Sequence, residues 1–109
     1  MTSPPIRANK LYQGRRTEDG CVVTVNGRPL PLCLDIWNHS PTGFEWGYGG
    51  SGPAQLALAL LFDHLQEREA AVALHQRFKS TLVSALPHGG WELTSTEIDQ
   101  ALDGIRLRR

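Results

Sequence analysis

Two adjacent residues, Asn26 and Gly27, constrain the fold of this chain more than any other local feature. They separate two runs rich in β-branched and apolar residues, 21–25 and 28–36. Asn-Gly favours the positive φ angles of a type I′ turn, a preferred two-residue connection in β-hairpins. The pattern therefore predicts an antiparallel hairpin with one apolar face, which a helix is expected to cover.

The register of this hairpin can be tested against its prolines and cysteines. With the Asn-Gly pair in the loop, Pro29 and Pro31 fall at non-hydrogen-bonded positions, where the missing N–H costs the hairpin nothing. The same register places Cys21 opposite Leu32 and turns Cys33 to the other face of the ribbon. A disulfide between the two cysteines is then geometrically excluded, so both are expected to be free thiols.

Three further segments have the character of strands. Residues 10–15 form a candidate first strand, with Tyr12 directed toward the core. Aromatic residues alternate with small or charged ones over 44–48, which predicts a third strand with an aromatic side. Residues 91–93 are a short candidate extended piece.

Three helices are predicted to follow the hairpin. The first, 53–65, is apolar on nearly every side and must therefore be central. The second, 68–86, has apolar residues at steps of three or four. The third begins at the capping box Thr94-Ser95-Thr96-Glu97, which satisfies backbone donors of a helix start.

This order of elements predicts an α+β fold, a small antiparallel sheet covered by two or three helices. The sheet would consist of the N-terminal hairpin and one or two further strands. A chain of 109 residues suits one hydrophobic core. We therefore expect a flexible lead-in over 1–9, a single domain over 10–105 and a basic tail over 106–109.

Charge and hydropathy narrow the range of partners. The chain has 11 basic and 11 acidic residues, so no global field draws it to nucleic acid, which is not expected as a partner. The longest apolar run, 53–62, is about half the roughly 20 residues that a membrane span needs. The N-terminus shows no apolar stretch of the kind found in secretory signals, so a cytoplasmic location is expected.

A glycine-rich segment that leads into the first helix is the main candidate for a binding site. Helix N-termini bind phosphate or carboxylate through free N–H groups, here expected at residues such as Ala54 and Gln55. Nearby hydroxyls, glycines and aromatic rings would add donors, close approach and stacking surfaces, with Trp37 as a further wall. The candidate ligand-binding residues are Ser40, Thr42, Glu45, Trp46, Tyr48, Gly49, Gly50, Ser51, Ala54 and Gln55. The spacing matches neither the dinucleotide fingerprint nor the phosphate loop.

Two other interpretations of this segment stay open. In the first, the glycines have only a structural role, which is to allow a tight turn into the helix. Glycine is then required at position 49 or 50 if the residue there has a positive φ angle. Alternatively, the segment can dock on a protein partner. A concave pocket with an aromatic wall would favour a ligand, whereas exposed aromatic residues without converging N–H groups would favour docking.

The four histidines, His39, His64, His75 and His88, show no paired spacing typical of a metal site. Neither a metal nor a cofactor is predicted. His75 is expected to be half-buried on the packed side of its helix. His39 is adjacent to Ser40, and adjacent residues rarely reach the geometry of a hydrolytic pair. No catalytic residue is predicted, and a binding role is favoured over catalysis.

Several of these residues together resemble those of a known family. They are Tyr12, Gly14, the run from Ser40 to Leu61 with its motif Phe44-Glu45-Trp46-Gly47-Tyr48-Gly49-Gly50-Ser51-Gly52-Pro53, the pair Phe78-Lys79, and Trp91. Over about residues 10–93 the chain is similar to domain of unknown function family 6166. The resemblance implies an origin in bacteria, phages or mobile elements, so that the expected cytoplasm is that of a bacterial host cell, and it implies no activity.

Small proteins of that origin often act by binding. The predicted function is therefore a small binding protein for an anionic or nucleotide-like ligand, such as a host immune signal, at the glycine-rich helix start. The alternative is a protein-interaction module that inhibits a host defence complex. The partner is thus a nucleotide-like small molecule or a host protein, and a homo-oligomer stays open.

Overall fold

A four-stranded antiparallel sheet forms one part of the protein, whose computed structural model describes residues 9–107. Its strands are β1 (Leu11–Thr17), β2 (Gly20–Val25), β3 (Arg28–Pro29) and β4 (Gly90–Thr94), in the order β3-β2-β1-β4. The helices are α1 (Ser51–Leu65), α2 (Arg68–Thr81) and α3 (Ser95–Leu107), with a 3₁₀ turn at Val83–Ala85. The α+β prediction is confirmed. Residues 1–8 of the predicted lead-in and 108–109 of the predicted tail lie outside the described residues.

The Asn-Gly hairpin forms as predicted but is short. Asn26 has φ 50° and Gly27 has φ 83°, as a type I′ turn requires. Thr24 pairs with Pro29, and the Leu30 N–H donates to the Val23 carbonyl at 3.0 Å, so the predicted register is confirmed. Both cysteines are free thiols, as expected.

The second strand of this hairpin, however, ends far earlier than predicted. β3 stops at Pro29, whereas the pattern predicted extended structure as far as Ile36. Cys33 has φ 60°, which breaks the extended backbone. The chain therefore leaves the sheet after Leu30 and enters a long connection to α1.

The predicted third strand at 44–48 is wrong. Gly43 and Gly47 have φ angles of 146° and 88°, which interrupt extended backbone. The Gly47 N–H donates to the Val83 carbonyl at 3.1 Å, so this segment bonds to the connection between α2 and β4 instead of to the sheet. The place beside β1 is taken by β4, the short extended piece that the sequence predicted at 91–93.

Helix α1 is the centre of the core, as its composition predicted. Every residue from Gly52 to Leu61 is buried, and Leu58 and Leu60 have no exposed surface. The same apolar cluster includes Tyr12 of β1 and Trp91 of β4. An apolar helix buried all round is the element around which a small domain can pack its other layers.

A glycine in the sheet makes room for the largest of these side chains. A Cβ atom at Gly14 would lie 2.4 Å from the Trp91 ring, so only glycine lets the indole lie on β1. This contact between paired strands places Trp91 in the core, where 7% of it is exposed. Gly14 is therefore a packing residue of the sheet.

For the two later helices, the predicted start of α3 is confirmed and the predicted end of α2 is wrong. The Thr94 N–H donates to Glu97 Oε1 at 2.9 Å, and the Glu97 N–H donates to Thr94 Oγ1 at 3.2 Å, which is the predicted capping box of α3. Helix α2 ends at Thr81 rather than at Leu86. The chain continues as the 3₁₀ turn Val83–Ala85, in which the Ala85 N–H donates to the Leu82 carbonyl at 3.0 Å. Within residues 9–107, no helix is long and apolar enough to cross a membrane.

Candidate functional site

The connection between β3 and α1, residues 30–50, contains no helix or strand and carries most of the predicted site residues. We call it the long loop. Phe44 and Trp46 of this loop are buried, whereas Trp37 and Tyr48 are 46% and 51% exposed. These two are the large hydrophobic side chains that the described structure leaves in solvent. The long loop is thus partly core and partly surface.

Gln55 of α1 holds the first half of the long loop in place. Its Oε1 accepts from the backbone N–H groups of His39 at 2.7 Å and Ser40 at 3.0 Å. Its Nε2 donates to the carbonyls of Leu32 at 2.6 Å and Trp37 at 3.0 Å. The Gln55 side chain is fully buried, and both donor hydrogens and both acceptor sites of its amide are engaged. Gln55 therefore acts as a clamp on the loop backbone.

Glu45 is held by a cation from the sheet. Arg16 donates to Glu45 Oε1 at 2.9 Å and to Oε2 at 3.0 Å, a bidentate ion pair. The Glu45 pKa is lowered to about 2, chiefly by the hydrogen bonds from Arg16, with smaller contributions from Cys21 and the Trp46 N–H. Burial raises the pKa of the Cys21 thiol, which contacts the same carboxylate. This carboxylate is engaged with Arg16 and anchors the loop to β1.

Trp46 is a core residue. It is 1% exposed, and its Nε1–H donates to the His88 carbonyl at 3.0 Å. Its ring meets Trp91 edge to face, with centroids 5.6 Å apart and planes at 89°, and the Arg16 guanidinium lies 4.8 Å from its centroid. These contacts satisfy the indole on its polar edge and on its face. Trp46 therefore supports the loop from within.

The start of α1 has an exposed aromatic neighbour. The helix begins after Gly50, which provides no side-chain cap, and the first turn has no acidic residue. A Cβ at Gly50 would lie 2.8 Å from Tyr48 Cε2, so the tyrosine ring lies against this glycine. Ser51 is exposed. Ala54 is buried, and its N–H, which was expected to be free, donates to the Gly50 carbonyl at 2.9 Å.

The other predicted residues have different surroundings. Ser40 Oγ donates to the Gly43 carbonyl at 2.8 Å and so closes a local turn. Thr42 and Gly49 are exposed. Neither Gly49 nor Gly50 has positive φ, so the turn does not require glycine there on backbone grounds. The glycine that packing does require is Gly52, where a Cβ would lie 2.6 Å from Glu45 Cβ.

The model of a family of unknown function, DUF6166, matches residues 12–104. The chain belongs to DUF6166. No curated protein and no solved structure matches it.

This DUF6166 protein also contains a side-chain cluster that sequence reasoning missed. The exposed Trp37 ring stacks on the His39 ring, with centroids 4.9 Å apart and planes at 15°. His39 Nε2 lies 3.0 Å from Nε2 of His75, which is 1% exposed on α2. His75 lies on the packed side of its helix, as predicted, but it is buried and not half-buried. The two histidines are separated by 36 residues, so no local spacing could have indicated their contact.

The predicted site residues thus divide into two groups. Gln55, Glu45 and Trp46 are engaged with backbone or side chains of the protein itself. Tyr48 and Ser51 remain at the surface beside the start of α1. Trp37, which was considered only as a wall of the site, is the other exposed aromatic residue of the long loop.

Proposed function

We propose that this DUF6166 protein is a binding module that docks on a protein partner through the aromatic residues of its long loop. The observation that carries the proposal is the exposure of Trp37 and Tyr48, at 46% and 51%, on a loop whose buried polar groups bond internally. Tryptophan and tyrosine are the residues that most often dominate the free energy of protein association. Each would fill an apolar pocket of the partner.

The rigidity of the loop supports this role. Gln55 fixes the backbone on both sides of Trp37, through the Leu32 and Trp37 carbonyls and the His39 and Ser40 N–H groups. The Trp37 ring is also stacked on His39. An anchor that is already ordered loses less conformational entropy on binding than a mobile one. The long loop therefore presents Trp37 in a prepared position.

A second candidate function is the binding of an anionic or nucleotide-like ligand at the start of α1. The observation that favours it is the uncapped helix N-terminus, with the exposed Tyr48 ring lying against Gly50. N–H groups of a first turn attract anions, and an aromatic ring can stack on a base. The nearby Glu45 carboxylate weakens the attraction, although its ion pair with Arg16 offsets its charge.

The resemblance to the family adds finer predictions to either function. An origin in a phage or mobile element, and inhibition of a host defence complex, stay predictions, because the matched family has no assigned function. A cytoplasmic location likewise stays a prediction.

Two variants separate the docking function from the ligand function. Trp37→Ala removes an exposed anchor on the long loop, whereas Ser51→Asp adds a negative charge to the first turn of α1. A bound anion would be repelled by the new aspartate, while the helix itself is slightly stabilised by it. The first change tests docking, and the second tests anion binding.

The measurement starts with affinity capture from bacterial lysate, and the captured protein is then purified and titrated against each variant by calorimetry. We expect Trp37→Ala to weaken the complex by about 2 kcal/mol or more. The exposed residue Glu92 on β4 provides the control, since Glu92→Ala should leave affinity unchanged. Full affinity in both Trp37→Ala and Tyr48→Ala would contradict docking.

The ligand function is tested in parallel with mono-, di- and cyclic nucleotides and ADP-ribose derivatives. Heat of binding that is lost in Ser51→Asp and Tyr48→Ala, but kept in Trp37→Ala, would establish the second candidate. Absence of heat with every compound would remove it.

A further inference from the structure

A hydrogen bond between two imidazoles joins the long loop to α2. His39 Nε2 and His75 Nε2 are 3.0 Å apart. His75 Nδ1 lies 2.7 Å from the Val72 carbonyl, which can only accept, so Nδ1 carries a proton. In the neutral ring, Nε2 of His75 therefore has no proton and accepts from the Nε2–H of His39. The direction of the bond is thus set by the contact of His75 with Val72.

We propose that this bond is a proton-sensitive latch. It holds the side chains of His39 and Trp37 against α2 while both imidazoles are neutral, and it releases them when the pair takes up protons. The latch is a property of the unbound chain and does not depend on the docking role of the long loop. It is inferred from the meeting of side chains that the spacing of histidines in the sequence did not predict.

Three rings meet in this latch. The Trp37 and His39 rings are stacked, with centroids 4.9 Å apart, and the His75 ring lies 5.5 Å from Trp37 and 5.1 Å from His39. His75 is 1% exposed and Trp37 is 46% exposed. A buried ring of α2 therefore supports an exposed indole of the long loop through the ring between them. Loss of the bond to His75 removes that support.

A proton on Nε2 of His75 is incompatible with the contact. Two N–H donors would then face each other across 3.0 Å without an acceptor between them. Lys79 follows His75 by one turn on the same side of α2, so the new charge would also lie close to an ammonium group. The rings must therefore separate before the second nitrogen of His75 can be protonated.

A charge on His39 is likewise unfavourable in the latched position. Burial lowers the pKa of His39, and His75 and Lys79 of α2 lower it further. The α1 side chain that contacts this part of the loop is the neutral Gln55. In solvent a histidine keeps its ordinary pKa of 6.5, so the released position binds protons more readily than the latched one. The latched position is therefore favoured above about pH 6.5 and loses this advantage as the pH falls through the lowered pKa of His39.

The latch moves side chains and leaves the loop backbone in place. Gln55 Oε1 accepts from the N–H groups of His39 and Ser40, and Gln55 Nε2 donates to the Trp37 carbonyl. An amide side chain does not titrate, so these bonds persist in mild acid. Release should therefore change the surroundings of the Trp37 ring while the His39 N–H stays protected from hydrogen exchange.

The test is ¹H–¹⁵N spectroscopy of the ¹⁵N-labelled protein between about pH 8 and pH 5. At pH 8 the ring nitrogens should show the Nε2–H form of His39 and the Nδ1–H form of His75. Below about pH 6.5 the nuclear Overhauser contacts between the two rings should be lost and the Trp37 indole N–H signal should shift. The indole signals of the buried Trp46 and Trp91 should stay unchanged, which distinguishes release from unfolding.

His39→Gln is the decisive variant. Its amide can donate to the neutral His75 ring, can accept from the protonated one and does not titrate, so the Trp37 signal should no longer depend on pH. Lys79→Gln should move the release to higher pH, because it removes one of the causes that lower the pKa of His39. Arg77→Gln, at an exposed position of the same helix, is the matched control and should leave the release unchanged.

Three results would overturn the proposal. They are contacts between the His39 and His75 rings that persist at pH 5, the same pH dependence of the Trp37 signal in His39→Gln, and equal displacements of the release in Lys79→Gln and Arg77→Gln. A shift of the Trp46 and Trp91 signals together with that of Trp37 would also contradict it, because the change would then be general unfolding.

Discussion

The sheet ribbon formed by β1, β2 and β3 and the long loop of residues 30–50 satisfy their backbone hydrogen bonds in opposite ways. In the ribbon, backbone pairs with backbone, from Tyr12 opposite Val25 to Thr17 opposite Gly20. In the long loop, four backbone groups bond to the single side chain of Gln55. Both arrangements pair buried polar groups, as stability requires. In the long loop, however, the pairing depends on one residue of a different element, Gln55 of α1.

The contrast explains how exposed aromatic residues can be held still without a strand or helix beneath them. The ribbon distributes its stability over many equivalent backbone hydrogen bonds, so a single substitution should lower its stability only slightly. The long loop concentrates its order at Gln55, and the partly exposed Arg16–Glu45 pair contributes less. A surface that must present Trp37 in one position can be built in this way, and it should be unusually sensitive to a change at Gln55.

The largest effect is expected for Gln55→Leu, which keeps the size of the side chain and removes its four hydrogen bonds. Two N–H groups and two carbonyls of the loop would lose their partners, at a cost of about 3 kcal/mol or more in the free energy of unfolding. Urea unfolding measures this loss, and amide hydrogen exchange should accelerate at His39 and Ser40. Gln76→Leu, at an exposed position on α2, is the control and should change stability by about 0.5 kcal/mol or less. A loss below about 1 kcal/mol for Gln55→Leu would show that the long loop is not held by this clamp.

A smaller effect is expected in the ribbon for Gly27→Ala. Gly27 has φ 83° with no atom within 4 Å of a Cβ position, so the penalty comes from backbone conformation alone. We expect a loss of about 1 kcal/mol, measured as a lower midpoint of thermal unfolding. Gly89→Ala is the matched control, because that site is equally open and its φ is not positive. Equal stability of the two variants would contradict the assigned turn.

The smallest effect is expected for Glu45→Gln, and it should depend on pH. The folded pKa of Glu45 is about 2, below the ordinary value of 4.5, so its ionised form is stabilised by folding. That stability is present above about pH 4.5 and is lost as pH falls through 2. Melting temperatures of the protein and the variant should therefore differ at pH 7 and converge toward pH 2, by a small amount because the pair is partly exposed. A difference that is constant over this range would mean that the ion pair is not its cause.

Prediction from sequence succeeded where the residues of a short segment are sufficient to set its conformation or burial. The Asn-Gly turn, the free cysteines, the central helix and the capping box at Thr94 were all predicted, and the structure confirms each of them. It failed at 44–48, where alternating aromatic residues resembled a strand. Burial alternates over Phe44, Glu45 and Trp46 but not as far as Tyr48, which is 51% exposed, and the backbone turns at Gly43 and Gly47 and pairs with no strand. Periodicity indicates which side chains could share a face, not which backbone groups pair.

The candidate site was predictable only in outline. The segment was correctly placed before α1. The sequence offered only the backbone N–H of Gln55 as a ligand donor and did not indicate that its side chain bonds to the loop backbone, nor that Glu45 bonds to Arg16 of β1. No pattern within a few residues of Gln55 could have indicated this. The same limit applies to His39 and His75, which meet only because the long loop folds over α2.

The amino-acid sequence by itself thus determined the ribbon turn, the buried helix α1 and the start of α3, because each follows from backbone preferences or apolar burial within a short window. Only the tertiary structure decided the course of the long loop, the exposure of Trp37 and Tyr48, and the contact of the two histidines. These depend on side chains that approach from distant elements, and a hydrogen bond or an aromatic contact leaves no trace in the local spacing of either partner.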